Sequence, residues 1–127
     1  MRKKITTIVV LALSLFLAVP ANAAAPGDFS GVWVSTDNDG SSQIMGIGPN
    51  LRVTLFDTLA SVCEEDVPAI ATGQGFITGD RLDVHFRVRC LGGERFEVDF
   101  WFDLIAEGDL EDATAVDWTR VFRDATA

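Results

Sequence analysis

The stretch Arg81–Cys90, RLDVHFRVRC, followed after Gly92-Gly93 by Arg95–Leu104, RFEVDFWFDL, decides the fold. In the first segment Leu82, Val84, Phe86, Val88 and Cys90 alternate with Arg81, Asp83, His85, Arg87 and Arg89. In the second, Phe96, Val98, Phe100, Phe102 and Leu104 alternate with Glu97, Asp99, Trp101 and Asp103. Successive side chains of a strand point to opposite faces, so each segment is a strand with one apolar and one wet face. Slipping the second strand by one residue would bury its acids, which pins the register.

The same rhythm spreads outward in both directions. Residues 69–78 and 81–90, joined at Gly79-Asp80, form the clearest hairpin. Upstream, Gly31–Asp37 and Ser42–Gly48 read as strands joined by the turn-forming cluster Asp37-Asn38-Asp39-Gly40, and Pro49-Asn50 turns the chain into Arg52–Leu59. Ala60–Pro68 is the least regular stretch and reads as a loop, and a loop around Gly108-Asp109 leads to a last strand, Ala113–Phe122. Seven or eight sequential strands with short connections predict an all-β protein, a single small antiparallel up-and-down β-barrel. A β-sandwich is the alternative; barrel closure hides both sheet edges and is favoured for that reason.

The N-terminus has the three-part plan of a secretory signal: Arg2-Lys3-Lys4, an apolar run Ile5–Val19, then Pro20 and Ala21-Asn22-Ala23. The run is shorter than the roughly 20 residues a spanning helix needs. Residues 1–23 therefore read as a cleavable signal peptide in helical form, and 24–127 as one secreted domain, extracellular or periplasmic, with no membrane anchor after cleavage. That mature part keeps seven arginines against 19 acidic residues, a formal charge of −12. Such a surface repels phosphate backbones and anionic lipid heads, which argues against nucleic acid and membrane partners and for a soluble monomer. Cys63 and Cys90, exposed to an oxidising compartment, are expected to form a disulfide tying down the Ala60–Pro68 loop.

The residues Gly31-Val32-Trp33, Asp39-Gly40-Ser41 and Ile47-Gly48 resemble the opening of the avidin and streptavidin family, and Trp118-Thr119-Arg120 resembles the last strand of the wider calycin group, which includes the lipocalins. The resemblance covers about 20 residues. It implies barrel closure by Trp33, Trp118 and Arg120: a first-strand tryptophan plugging one end, with the last-strand arginine stacked on it and satisfying local carbonyls. It also implies a ligand at the open end near Ser35 and Ser41. The family's polar site uses a tyrosine, and this chain has none, so biotin is not the expected ligand.

A search for chemistry yields no catalytic residue. His85 is the only histidine and lies on a charged strand face between Asp83 and Arg87, where a salt-bridging role is expected. Phe56-Asp57-Thr58 lacks the glycine an aspartic protease site needs after it, and Asp37-x-Asp39-Gly40 lacks the twelfth-position glutamate of a calcium loop, since Gly46 stands there. No metal and no cofactor are expected. Trp101, placed outside between Asp99 and Asp103, either docks an apolar or cationic partner or lies under the Ala60–Pro68 loop. The expectation is a non-enzymatic binding barrel taking a small, apolar molecule at its mouth, the alternative being a protein-interaction module, such as a secreted protease inhibitor or envelope-associated domain, that meets an extracellular protein through its loops and acidic rim. An interior cavity above about 300 Å³ beside Phe86, Phe100 and Phe102 would favour a carrier, and a filled interior the second reading.

Overall fold

The computed structural model describes residues 23–37 and 39–123. The expected signal segment lies outside the described residues except for Ala23. Eight strands follow one another around a closed barrel, each antiparallel to its neighbours: β1 (Gly31–Thr36), β2 (Ser42–Ile47), β3 (Arg52–Asp57), β4 (Ala69–Thr78), β5 (Arg81–Cys90), β6 (Arg95–Ala106), β7 (Asp109–Asp112) and β8 (Asp117–Phe122). A short helix, α1 (Pro26–Phe29), precedes β1.

Strands β4 and β5 pair over their whole length, from Ala69 opposite Cys90 to Thr78 opposite Arg81. Against β5, strand β6 sets Phe102 opposite Leu82 and Val98 opposite Phe86, the register that buries Phe102 and partly buries Phe96, Val98, Phe100 and Leu104. Inside, the rings of Phe86, Phe100, Phe102 and Trp118 meet tilted or edge to face, with centroids 5.4 to 6.4 Å apart. Such contacts add about 0.5–1.5 kcal/mol each to the burial itself.

One part of the expected order is corrected. The segment Ala113–Phe122 is not one strand, and the loop expected around Gly108-Asp109 is a turn at Glu107-Gly108, with Asp109 already in a strand. The chain turns tightly at Glu107-Gly108, runs as β7 through buried Leu110, turns again over residues 113–116 and returns as β8. Asp112 is the reason. Its buried carboxylate accepts the backbone N–H groups of Thr114 at 2.9 Å and Val116 at 3.2 Å, the Thr114 hydroxyl at 2.7 Å and the Trp118 indole N–H at 2.9 Å. An inward aspartate that organises its own turn satisfies its lone pairs there, so its burial costs little.

The barrel floor is closed by the chain's two ends. Pro26 opens α1 with the φ a first helical turn requires, and Asp28 accepts the Ala25 N–H at 2.8 Å. Phe29 and Trp33 are fully buried, and the Trp33 indole donates to the Phe29 carbonyl at 2.7 Å. Arg120 of β8 lies over the Trp33 ring, 5.2 Å from its centroid, and donates to the carbonyls of Gly27 at 3.0 Å, Ser30 at 3.2 Å and Asp28 at 3.4 Å. A single guanidinium thus answers carbonyls that a helix end leaves without partners. At the adjoining seam β1 meets β8 with a register shift between Val32 and Trp33. Gly31 has φ +132°, and a Cβ there would overlap the Phe122 carbonyl oxygen, so only glycine lets the last strand approach.

Replacing Arg120 with alanine removes charge-assisted hydrogen bonds worth about 1.5–3 kcal/mol together with its stacking on Trp33. We expect a stability loss of about 2 kcal/mol or more in urea unfolding at neutral pH. Arg120→Lys should recover little of it, because an ammonium lacks the planar fork; an unchanged midpoint in either variant would contradict this role for the floor.

Candidate functional site

The opposite end of the barrel is built differently. Here the long β3–β4 connection, Thr58–Pro68, folds over the opening, and its hold is covalent: Cys63 and Cys90 form a disulfide with Cα atoms 5.9 Å apart. The Leu91 N–H donates to the Pro68 carbonyl and the Glu64 N–H to Glu94, which ties the loop to the end of β5. On the chain-entropy model a crosslink closing a loop of this length stabilises by about 3 to 4 kcal/mol.

Beneath the loop lies a cavity of about 170 Å³. Phe86, Phe100 and Trp118 form its aromatic base, Ser61 and Val62 of the loop close one side, and Gln43, Asp57 and Asp112 supply polar groups. The volume is below the 300–1,000 Å³ of sites for drug-sized ligands and close to that of an apolar cavity that holds benzene. The barrel is thus neither filled nor roomy. Phe102, expected beside it, is fully buried deeper in the core against Trp118.

Polar groups at the mouth are not all satisfied. Asp57 accepts the Gln43 side-chain N–H at 2.9 Å and the Leu59 N–H at 3.0 Å. Burial pushes the Asp57 carboxyl above the usual aspartate range, against the lowering effect of those two hydrogen bonds, and the charges of Asp37 and Asp39 push it further up. The other amide atom of Gln43, Oε1, is buried with no hydrogen-bond partner, and so is the Ser35 hydroxyl, on the residue directly opposite Gln43 in the β1–β2 pair. Most buried acceptors in folded proteins are paired, so an orphan at a cavity wall marks a place where a donor belongs.

Ser35 is buried on the inner face of β1, and Ser41 is buried in the turn before β2, where its N–H donates to Asp39 at 2.8 Å. Neither forms the cavity wall, a role taken by Gln43, Asp57 and Asp112. Those three were missed because each is a polar residue in phase with apolar neighbours: Gln43 with Met45 and Ile47, Asp112 with Leu110. An in-phase polar residue at a strand end is the signal that would have revealed them.

Trp101 is half-exposed on the outer wall, and its cationic partner comes from the same chain. The Arg81 guanidinium lies 4.8 Å from the ring centroid while its Nε donates to Asp103 at 2.8 Å. The Ala60–Pro68 loop is fixed at Cys90, whereas Trp101 pairs with Asp83, seven residues or roughly 23 Å away along β5, so the loop does not cover it. His85 is also outside, with its two ring nitrogens 2.6 Å from Asp99 and 2.7 Å from Glu97. The hydrogen bond to Asp99 first, then that to Glu97, holds the imidazole above its usual range. Among the described residues no group of three or more His, Cys, Asp or Glu side chains could hold a metal ion. No protein-family model, curated protein or solved structure matches the chain.

The raised Asp57 gives a pH signature with a definite sign. A carboxyl whose folded value lies above its unfolded one favours folding at low pH, and that contribution is lost as pH rises through the folded value. Asp57→Asn removes the dependence. The midpoint of the variant relative to the parent should therefore climb as pH rises through and above the ordinary aspartate range, as followed by thermal melts; a difference that stays flat or falls would show that Asp57 does not bear this burial cost.

Proposed function

We propose that the protein is an exported, non-enzymatic binding barrel of calycin-like plan that takes one small ligand at its mouth. The ligand has an apolar body, which lies on Phe86, Phe100 and Trp118, and a hydrogen-bond-donating or cationic head directed at Gln43 and Asp57. The carrying observation is Gln43, a residue lining the aromatic-based cavity whose Oε1 is buried without a hydrogen-bond partner. Leaving such an atom unpaired costs about 1–3 kcal/mol, a cost that a ligand N–H offsets. Asp112 has less capacity left for a ligand than Asp57, since its carboxylate already accepts four hydrogen bonds and that of Asp57 two. The Trp33 and Arg120 floor supports the calycin-like plan, in which one end is sealed and the other receives ligand. The Cys63–Cys90 disulfide supports export, because such bonds persist in oxidising compartments. His85, with both ring nitrogens held by carboxylates on the outer wall, supports a role without acid–base catalysis.

Benzylamine and toluene, equal in ring and different in head, test this reading by titration followed through the backbone amide signals of Gln43, Phe86 and Phe100. Benzylammonium should bind at least tenfold more tightly than toluene at neutral pH, and Asp57→Asn should remove most of that preference. Absence of perturbation at these residues by either compound, or equal affinities for both, would overturn it.

A further inference from the structure

The outer wall carries a second feature, independent of the mouth. Val34, Ile44, Phe56 and Ile70 face outward on β1 to β4 and are direct cross-strand partners: Val34 with Ile44, Ile44 with Phe56, Phe56 with Ile70. Ile44, Phe56 and Ile70 are 39 to 47 % exposed. The result is an apolar band running across four strands, about 14 Å at ordinary strand spacing. The register continues the row into Arg89 on β5, opposite Ile70, and then into Arg95 on β6, opposite Arg89.

Two arginines directly opposite each other on an exposed face repel, and sheets ordinarily avoid that pairing. Arg87 stands two residues from Arg89 on the same face. Among the described residues none of these three makes an ion pair, although the chain has nearly twice as many acids as bases. Glu97 stands directly opposite Arg87 in the same groove, but its carboxylate is bonded to His85, and Glu94 is bonded to the Glu64 N–H. Adjoining shallow grooves of about 470 and 310 Å³ share Ile70, Arg89 and Arg95, so the basic end and the apolar band form one continuous surface.

We infer that this outer-wall band is a docking surface for an acidic polypeptide segment, whose carboxylates are held by Arg87, Arg89 and Arg95 and whose aliphatic side chains cover Ile70, Phe56 and Ile44. Charge complementarity selects the partner: arginine forks that make no ion pair among the described residues, two of them directly opposite each other, match carboxylates bidentately. The number of cations favours a polypeptide over an alkyl carboxylate: an alkyl carboxylate brings one anionic group to three arginines, whereas a polypeptide segment brings several carboxylates together with side chains for the apolar band. An anionic bilayer is disfavoured by the strongly negative remainder of the surface, which would be brought against it.

The test uses two fluorescently labelled ten-residue peptides, one alternating glutamate with leucine and one alternating glutamine with leucine, titrated with the intact mature protein and read by anisotropy. The acidic peptide should bind at least tenfold more tightly than the neutral one, and Arg89→Glu with Arg95→Glu should weaken it at least tenfold. Arg89→Glu alone converts a repelling pair into an attracting one, so it should raise the thermal midpoint while weakening the peptide, a combination that a purely structural arginine would not produce. Equal binding of the two peptides, no binding of either, affinity unaffected by the double variant, or a lowered midpoint in Arg89→Glu would each overturn the inference. Dodecanoate or phosphatidylglycerol vesicles binding this face in place of the acidic peptide would overturn it as well, by assigning the surface to amphiphiles.

Discussion

A sheet of eight strands keeps two free edges until the first meets the last, and in this protein that meeting depends on the floor assembled around Arg120. The guanidinium reaches from β8 to the carbonyls of α1 and lies over Trp33 of β1, so it joins the segment that enters the barrel to the strand that leaves it. Gly31 permits the approach by leaving space for the Phe122 carbonyl. With β1 paired to β8, the first and last strands share a ladder in place of two free sheet edges. Everything else in the architecture, including a mouth at one end only, follows from sealing this floor.

Floor and mouth differ in how their polar groups are satisfied. At the floor the Trp33 indole and the Arg120 guanidinium are matched to carbonyls within the chain, and the Ser30 hydroxyl alone among the described floor groups is buried without a partner. At the mouth Gln43 Oε1 and the Ser35 hydroxyl are buried without partners, and Asp57 is held above its usual range by burial. The disulfide places the Ala60–Pro68 loop over this less satisfied end. A rigid frame around groups that lack internal partners is what a preorganised binding site requires, because little ordering entropy then opposes association.

The legible part of the fold was the part with strict alternation. The β4–β5 hairpin could be read to the residue because its inward positions are nearly all apolar. Strand β7 could not, because Asp112 is an acid facing inward and its alternation with Glu111 resembles a solvated loop; only the four hydrogen bonds it accepts explain why it is there. The same limit hid Gln43 and Asp57 at the mouth. Outward-facing residues were assignable strand by strand, but the band from Val34 to Ile70 and the facing Arg89–Arg95 pair exist only through cross-strand register, which no single segment contains. For Trp101, alternation correctly gave its side of the wall while leaving its cover open, and the cover is Arg81 from the neighbouring strand.

The outcome is a molecule whose net negative charge is unevenly spread, with three arginines that make no ion pair among the described residues beside an apolar band, and buried Asp112 and part-buried Asp57 at the mouth. Both features presuppose a closed wall. Amide hydrogen exchange across the β1–β8 seam tests that closure most directly. Protection of the seam amides comparable to that of the β4–β5 hairpin is the result expected of a closed barrel. Exchange of either strand at the rate of an open sheet edge, with β4–β5 still protected, would contradict it.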